Sequence, residues 1–211
     1  MEVHPPDNPV HSWRDFAIHI VIVTIGLFIA LTLESFVEYL HHRHIVHEAR
    51  ENIRQEIEGN HKAAQMDIKY LQEDMDRIKA NIDTIHQIRA QPKGFKGSLT
   101  YTMQFRSLNS AAWNTSRDTG ALSFMSYKEV QTYADLYEDQ KMVNDHSIQI
   151  FDRQTLAMTP VFMEKDFTNL PPSETLGMLH ESAATLIELN ALQQIVEQLD
   201  ARYVDQLKSA K

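Results

Sequence analysis

Residues 16–33, FAIHIVIVTIGLFIALTL, carry no Asp, Glu, Lys or Arg. As an α-helix rising about 1.5 Å per residue, eighteen residues reach about 27 Å, close to the roughly 30 Å hydrocarbon layer of a bilayer. The run is apolar on every face, whereas a helix that lies on a soluble core keeps a polar side. It predicts a transmembrane anchor over residues 16–40. An extended tail (1–15) precedes the anchor and an extramembrane helical bundle (41–211) follows it. Pro5, Pro6 and Pro9 hold the tail extended, and Ser12 is placed to cap the helix. A cleavable signal peptide would show a basic n-region, a shorter apolar core and a small-residue cleavage site. This tail is acidic, and Glu34-Ser35-Phe36 follows the run.

Within the anchor, Trp13 and Phe16 stand where interfacial aromatic residues collect, and Leu33 closes the apolar run. His19 lies one turn in, within reach of headgroups; ligation of a pigment or haem is its alternative role. Gly26 and Ala30 are four apart, a small-xxx-small pair that lets a second membrane helix approach closely. Arg43, Arg50 and Arg54 follow the anchor, against Arg14 and the amino terminus before it, so the positive-inside rule leans toward a cytoplasmic bundle.

No Pro occurs between Val10 and Pro92, so the anchor is expected to continue as one long helix. From Ala64 its apolar residues recur at spacings of four and three. Ile68, Leu71, Met75, Ile78 and Ile82 form a heptad seam that needs a partner helix, either the last helix of the same chain or a second copy. Gly59-Asn60 is its weak point, and the stretch from Gln91 to Gly97 ends it. Residues 99–118 are expected to form short helices with Trp113 in the core, followed by a turn at Thr119-Gly120. Ser126 and Glu129 have the capping-box spacing and open a helix through Val130, Tyr133, Tyr137, Ile148, Phe151 and Leu156 toward Pro160. After Leu170-Pro171-Pro172, Ser173 caps a last helix. Its expected core face comprises Leu176, Leu179, Ala183, Leu186, Leu189, Leu192, Val196, Leu199 and Tyr203. The fold class is therefore all-α: the anchor helix runs into a long helix, packed with two further long helices and a short helical insert as an antiparallel bundle.

The chemistry-bearing residues are sparse. The chain has no Cys, which removes disulfides and thiolate chemistry. A net charge of -9 argues against nucleic acid as a partner. Glu38 and His41 have the Glu-x-x-His spacing of di-iron bundles, and His44 and His47 share a helix face with each other near Glu48 and Glu51, so Glu38, His41, His44 and His47 are the metal candidates. No second Glu-x-x-His pair completes such a site, and exposed imidazoles beside a membrane also suit headgroup contacts. No Gly-x-Ser-x-Gly elbow, dinucleotide fingerprint or phosphate loop occurs. The expected protein is non-enzymatic and without cofactor. Its expected partners are the lipid bilayer, other membrane-protein subunits and, as the rival for the seam, a second copy of itself.

Ser12-Trp13-Arg14-Asp15-Phe16, Ile25-Gly26-Leu27-Phe28-Ile29-Ala30-Leu31 and His41-His42-Arg43-His44, with Ala112-Trp113 and Gly120-Ala121-Leu122 downstream, resemble a group of uncharacterised bacterial single-pass membrane proteins. The resemblance implies a bacterial inner-membrane location, one membrane helix and a helical extramembrane part, and no activity. An accessory or scaffold subunit of a photosynthetic, respiratory or transport complex is the reading these features favour. A membrane-tethered sensor and a His/Glu metal protein are the alternatives.

Overall fold

The computed structural model describes residues 13–93, 95, 97–164 and 169–209. It is all-helical: α1 spans Trp13–Ala90, α2 Ala111–Asp118, a 3₁₀ turn Ala121–Phe124, α3 Tyr127–Met163 and α4 Pro172–Ser209. Residues 1–12 of the expected tail, with the expected cap Ser12, lie outside the described residues. The chain divides into two units, residues 1–48 and 49–211.

In the first unit α1 begins at Trp13 and is uninterrupted. Its most apolar window has a mean hydropathy of 2.6 and none of it is buried. It is therefore long and apolar enough to cross a membrane. Two of its polar side chains are tied to its own backbone. The Thr32 hydroxyl donates to the Phe28 carbonyl (2.7 Å), and His19 Nδ1 donates to the Asp15 carbonyl (3.0 Å). Such i−4 bonds satisfy polar groups where water is absent.

In the second unit α1, α3 and α4 each bury a 3.5-residue stripe. On α1 it runs Ile53, Ile57, Asn60, Ala64, Asp67, Leu71, Asp74, Ile78, Asn81, Ile85 and Ile88. Leu71, Met75 and Ile78 of the expected seam are buried, while Ile68 and Ile82 are half-buried at its edge. The helix continues through Gly59-Asn60 without interruption, and the Asn60 side chain is bonded inside the bundle. Ion pairs and hydrogen bonds set the helix directions. Arg50–Glu129 and Asn60–Gln140 run α1 and α3 the same way. His61–Asp200 and Gln193 to the Ile68 carbonyl run α4 against α1, and Arg153–Glu188 runs α4 against α3.

Two helices running the same way need a return path, and the chain takes it in extended form. Residues 99–110 are not helical, contrary to expectation; only α2 is. Leu99, Tyr101, Met103 and Phe105 are half-buried, and the residues between them are exposed, which is the two-residue period of a strand. This strap occupies the place that a second helix holds in an up-down-up-down bundle.

The turns follow local chemistry. Gly120 sits at φ 78°, where a Cβ would be strained. Ser126 Oγ accepts from Glu129 N (3.3 Å), but the Glu129 carboxylate bonds Arg50 rather than completing a capping box. Pro160 falls in the last turn of α3. Ser173 does not cap α4: Pro172 is already its first residue, and the Pro171 carbonyl accepts from Glu174 N and Thr175 N. On α3, Ile148, Phe151 and Leu156 face outward, contrary to expectation. In the first half of α4 the core stripe is Thr175, Met178, Ser182 and Thr185, one position away from Leu176, Leu179, Ala183 and Leu186.

Leu71 is wholly buried. Leu71→Ala should destabilise the chain by about 2–5 kcal/mol in a urea titration. Because its seam is filled by α4 of the same chain, the melting temperature should not change with protein concentration. A midpoint that falls on dilution would show that a second copy fills the seam.

Candidate functional site

The densest polar constellation lies along the strap. Asn60, Asp67, Asp74 and Asn81 recur every seventh residue on α1, and all four are buried. Each accepts a backbone N–H of the strap: Asn60 from Asn109 (2.8 Å), Asp67 from Arg106 (2.9 Å), Asp74 from Gln104 (3.3 Å) and Asn81 from Thr100 (3.0 Å). The two asparagines also donate to the carbonyls of the same strap residues, at 2.7 and 2.8 Å. Their side-chain amides thus pair with the strap as a neighbouring strand would. Across the four rungs α1 advances three heptads, about 31 Å, while the strap advances nine extended residues, about 30 Å, in steps of three, two and four, so the two stay in step overall.

From the other side, Asn144 on α3 brackets the next residue, accepting from Leu108 N and donating to the Leu108 carbonyl (both 3.0 Å). Leu108 thus serves α3 while its neighbour Asn109 serves α1. Gln140 closes the centre: its Nε2 donates to the Asn109 carbonyl (2.7 Å). Its Oε1 accepts from Asn60 Nδ2 (2.9 Å) and Tyr203 OH (2.7 Å). Burial raises the Tyr203 phenol above its ordinary range, so Tyr203 remains a donor at physiological pH.

Glu56 of α1 organises the next turn. Its carboxylate accepts from Ala112 N (2.8 Å), Trp113 N (3.3 Å) and Tyr137 OH (2.7 Å). It caps α2, since the Ser110 side chain does not. Trp113, half-buried, stacks on Tyr137 at 5.3 Å between ring centroids. Burial, and then Glu56, raise the Tyr137 phenol. Glu56 spends its acceptor capacity on structural donors, so it is not placed as a general base. Arg50 grips Glu129 with two bonds of 2.6 and 2.8 Å, which hold the Glu129 carboxyl below the usual range.

Asp67 breaks the pattern of the ladder. Oδ1 accepts from Arg106, whereas Oδ2 is buried with no hydrogen-bond partner. Burial pushes its carboxyl up to about 6, against the opposing pull of the Arg106 N–H.

The sequence candidates lie elsewhere. Glu38, His41, His44 and His47 are all exposed on α1. Among the described residues no three His, Asp or Glu side chains gather as a metal site. The His41 and His42 rings are 6.2 Å apart, and Arg43 lies over the Tyr39 ring. Trp13, Phe16, His19, Gly26, Ala30 and Leu33 all lie on the exposed apolar part of α1, with the Trp13 and Phe16 rings 5.7 Å apart. A search for apolar stripes passes over the ladder because its rungs are polar. The seven-residue recurrence of Asn and Asp, beside an alternating apolar segment, is the signal that marks it. No protein family, curated protein or solved structure matches the chain.

Asp67→Asn tests the broken rung. The folded-state pKa is raised, so folding favours the proton, and Asp67 weakens the fold as pH climbs from about 4 through about 6. The asparagine keeps the acceptor and adds a donor like those of Asn60 and Asn81. It should stabilise the chain by about 1–3 kcal/mol at pH 7–8, with the gain shrinking toward pH 4. Paired thermal melts across that range measure it. A gain that does not vary with pH would contradict the assignment.

Proposed function

We propose that the chain is a non-enzymatic, single-pass accessory or scaffold subunit that holds a rigid helical module at a bacterial inner membrane, as part of a larger respiratory, photosynthetic or transport assembly. The observation that carries the reading is α1 itself. One unbroken helix contributes an uncovered segment with a mean hydropathy of 2.6 and, further along, the central polar ladder of the bundle. A helix that is apolar all round belongs in lipid. The half-buried carboxylate of Glu56 and the amides of Asn60, Gln140 and Asn144 are committed to holding the strap and α2, which suits a scaffold rather than a catalyst. The charge distribution around the anchor favours a cytoplasmic bundle.

Purification in mild detergent at native abundance tests the reading. The expected result is a stoichiometric set of membrane subunits that travels with the chain and is lost when residues 1–40 are replaced by an unrelated anchor. A chain that migrates alone under every condition would contradict it. The absence of Cys makes the sidedness directly measurable. A single exposed Ser209→Cys should be labelled by a membrane-impermeant maleimide only after the cells are opened, and labelling of intact spheroplasts would place the bundle on the outer side.

A further inference from the structure

The stripe of α3 that meets the strap carries Gln140, Ser147 and Gln154, again seven residues apart and all buried. Gln140 donates its Nε2 to a strap carbonyl. Gln154, two heptads on and only 6 % exposed, has the same donor and no partner for it. The neighbouring Tyr101 hydroxyl, on the strap, is also buried and without a partner. Both residues line one cleft of about 380 Å³ between the strap and α3, shared with Met103, Phe151, Met158 and Phe162. A pair of buried, unsatisfied donors lining one cleft is unfavourable unless something else fills the place.

We propose that this cleft is a binding site for an uncharged, largely apolar molecule bearing a carbonyl-type oxygen, which accepts hydrogen bonds from Gln154 Nε2 and Tyr101 OH. The volume lies within the range of small-molecule sites, and the walls are chiefly aromatic, methionine and threonine side chains. Among the described residues no charged side chain lines the cleft, so a carboxylate or phosphate would enter without a counter-ion from them, whereas a neutral carbonyl carries no such penalty. Burial keeps the Tyr101 phenol protonated and therefore able to donate. Met103, Met158 and Met163 are flexible, polarisable walls that adapt to a ligand's shape, and Phe162 and Met163 expose an apolar lip at the end of α3. The carbonyl can come from a free ketone- or quinone-like molecule or from the ester linkage of a lipid.

The test uses the full chain, with its glutamine side-chain amides ¹⁵N-labelled, in nanodiscs of ether-linked phosphatidylcholine, which has no ester carbonyl. Valerophenone is titrated in, and pentylbenzene serves as the matched hydrocarbon. The ketone should shift the Gln154 amide signals and bind about tenfold more tightly than the hydrocarbon, the effect of one or two neutral hydrogen bonds. Tyr101→Phe, which removes a single oxygen, should shrink that preference, and Gln154→Leu should shrink it further. A lipid source would appear as a Gln154 shift on exchanging ether for ester lipid before any ketone is added; a free ligand would leave that exchange silent. Equal binding of ketone and hydrocarbon, binding of neither with no ester-dependent shift, or a preference unchanged in Tyr101→Phe would overturn the proposal.

Discussion

The bundle depends on asparagine side chains that imitate a β-strand edge. An extended segment among helices has N–H and C=O groups that no helix backbone can satisfy, because a helix consumes its own. Asn60 and Asn81 each offer one donor and one acceptor in the geometry of a peptide group, and each bonds both polar groups of one strap residue. Asn144 does the same from α3. Without these rungs the peptides of Thr100, Leu108 and Asn109 would be left against the bundle without those partners, an unfavourable arrangement for partly buried polar groups.

The near-match between three helical heptads and nine extended residues explains how the strap follows α1 for four rungs. It also explains why the core stripes are half polar. The apolar half of the α1 heptad, with Ile57, Ala64, Leu71, Ile78 and Ile85, is buried as an ordinary helical seam, while the other half holds the strap. On α4 the small Thr175 and Thr185 return their hydroxyls to carbonyls of their own helix, and Thr175 also accepts from Arg89 of α1.

Much of this was legible in the sequence. The charge-free run marked the stretch of helix long and apolar enough to cross a membrane, the absence of Pro between Val10 and Pro92 gave one continuous helix, and Ser126, Gly120 and the Pro171-Pro172 pair marked the turns. What apolar periodicity could not show was any core position filled by Asn, Asp, Gln, Ser or Thr. Ile148, Phe151 and Leu156 therefore looked like core and proved exposed, and the first half of α4 was read one residue out of phase. The strap was read as helix because Tyr101, Met103 and Phe105 are good core residues, although their alternation is that of a strand. Of the site residues, the exposed His cluster was visible because its composition is unusual. Gln154 and Tyr101 were not visible, since only the register of the folded bundle leaves their donors without partners.

The central claim, that side chains on two helices hold an extended strap as a neighbouring strand would, is tested most directly by hydrogen exchange of the strap amides. Under native conditions the N–H groups of Thr100, Arg106, Leu108 and Asn109 should exchange orders of magnitude more slowly than an unstructured chain. Replacing Asn60 by Ala should release Asn109 first. If all four amides exchange at the rate of a free peptide while α1 and α4 stay protected, the strap is not held by the ladder and the account fails.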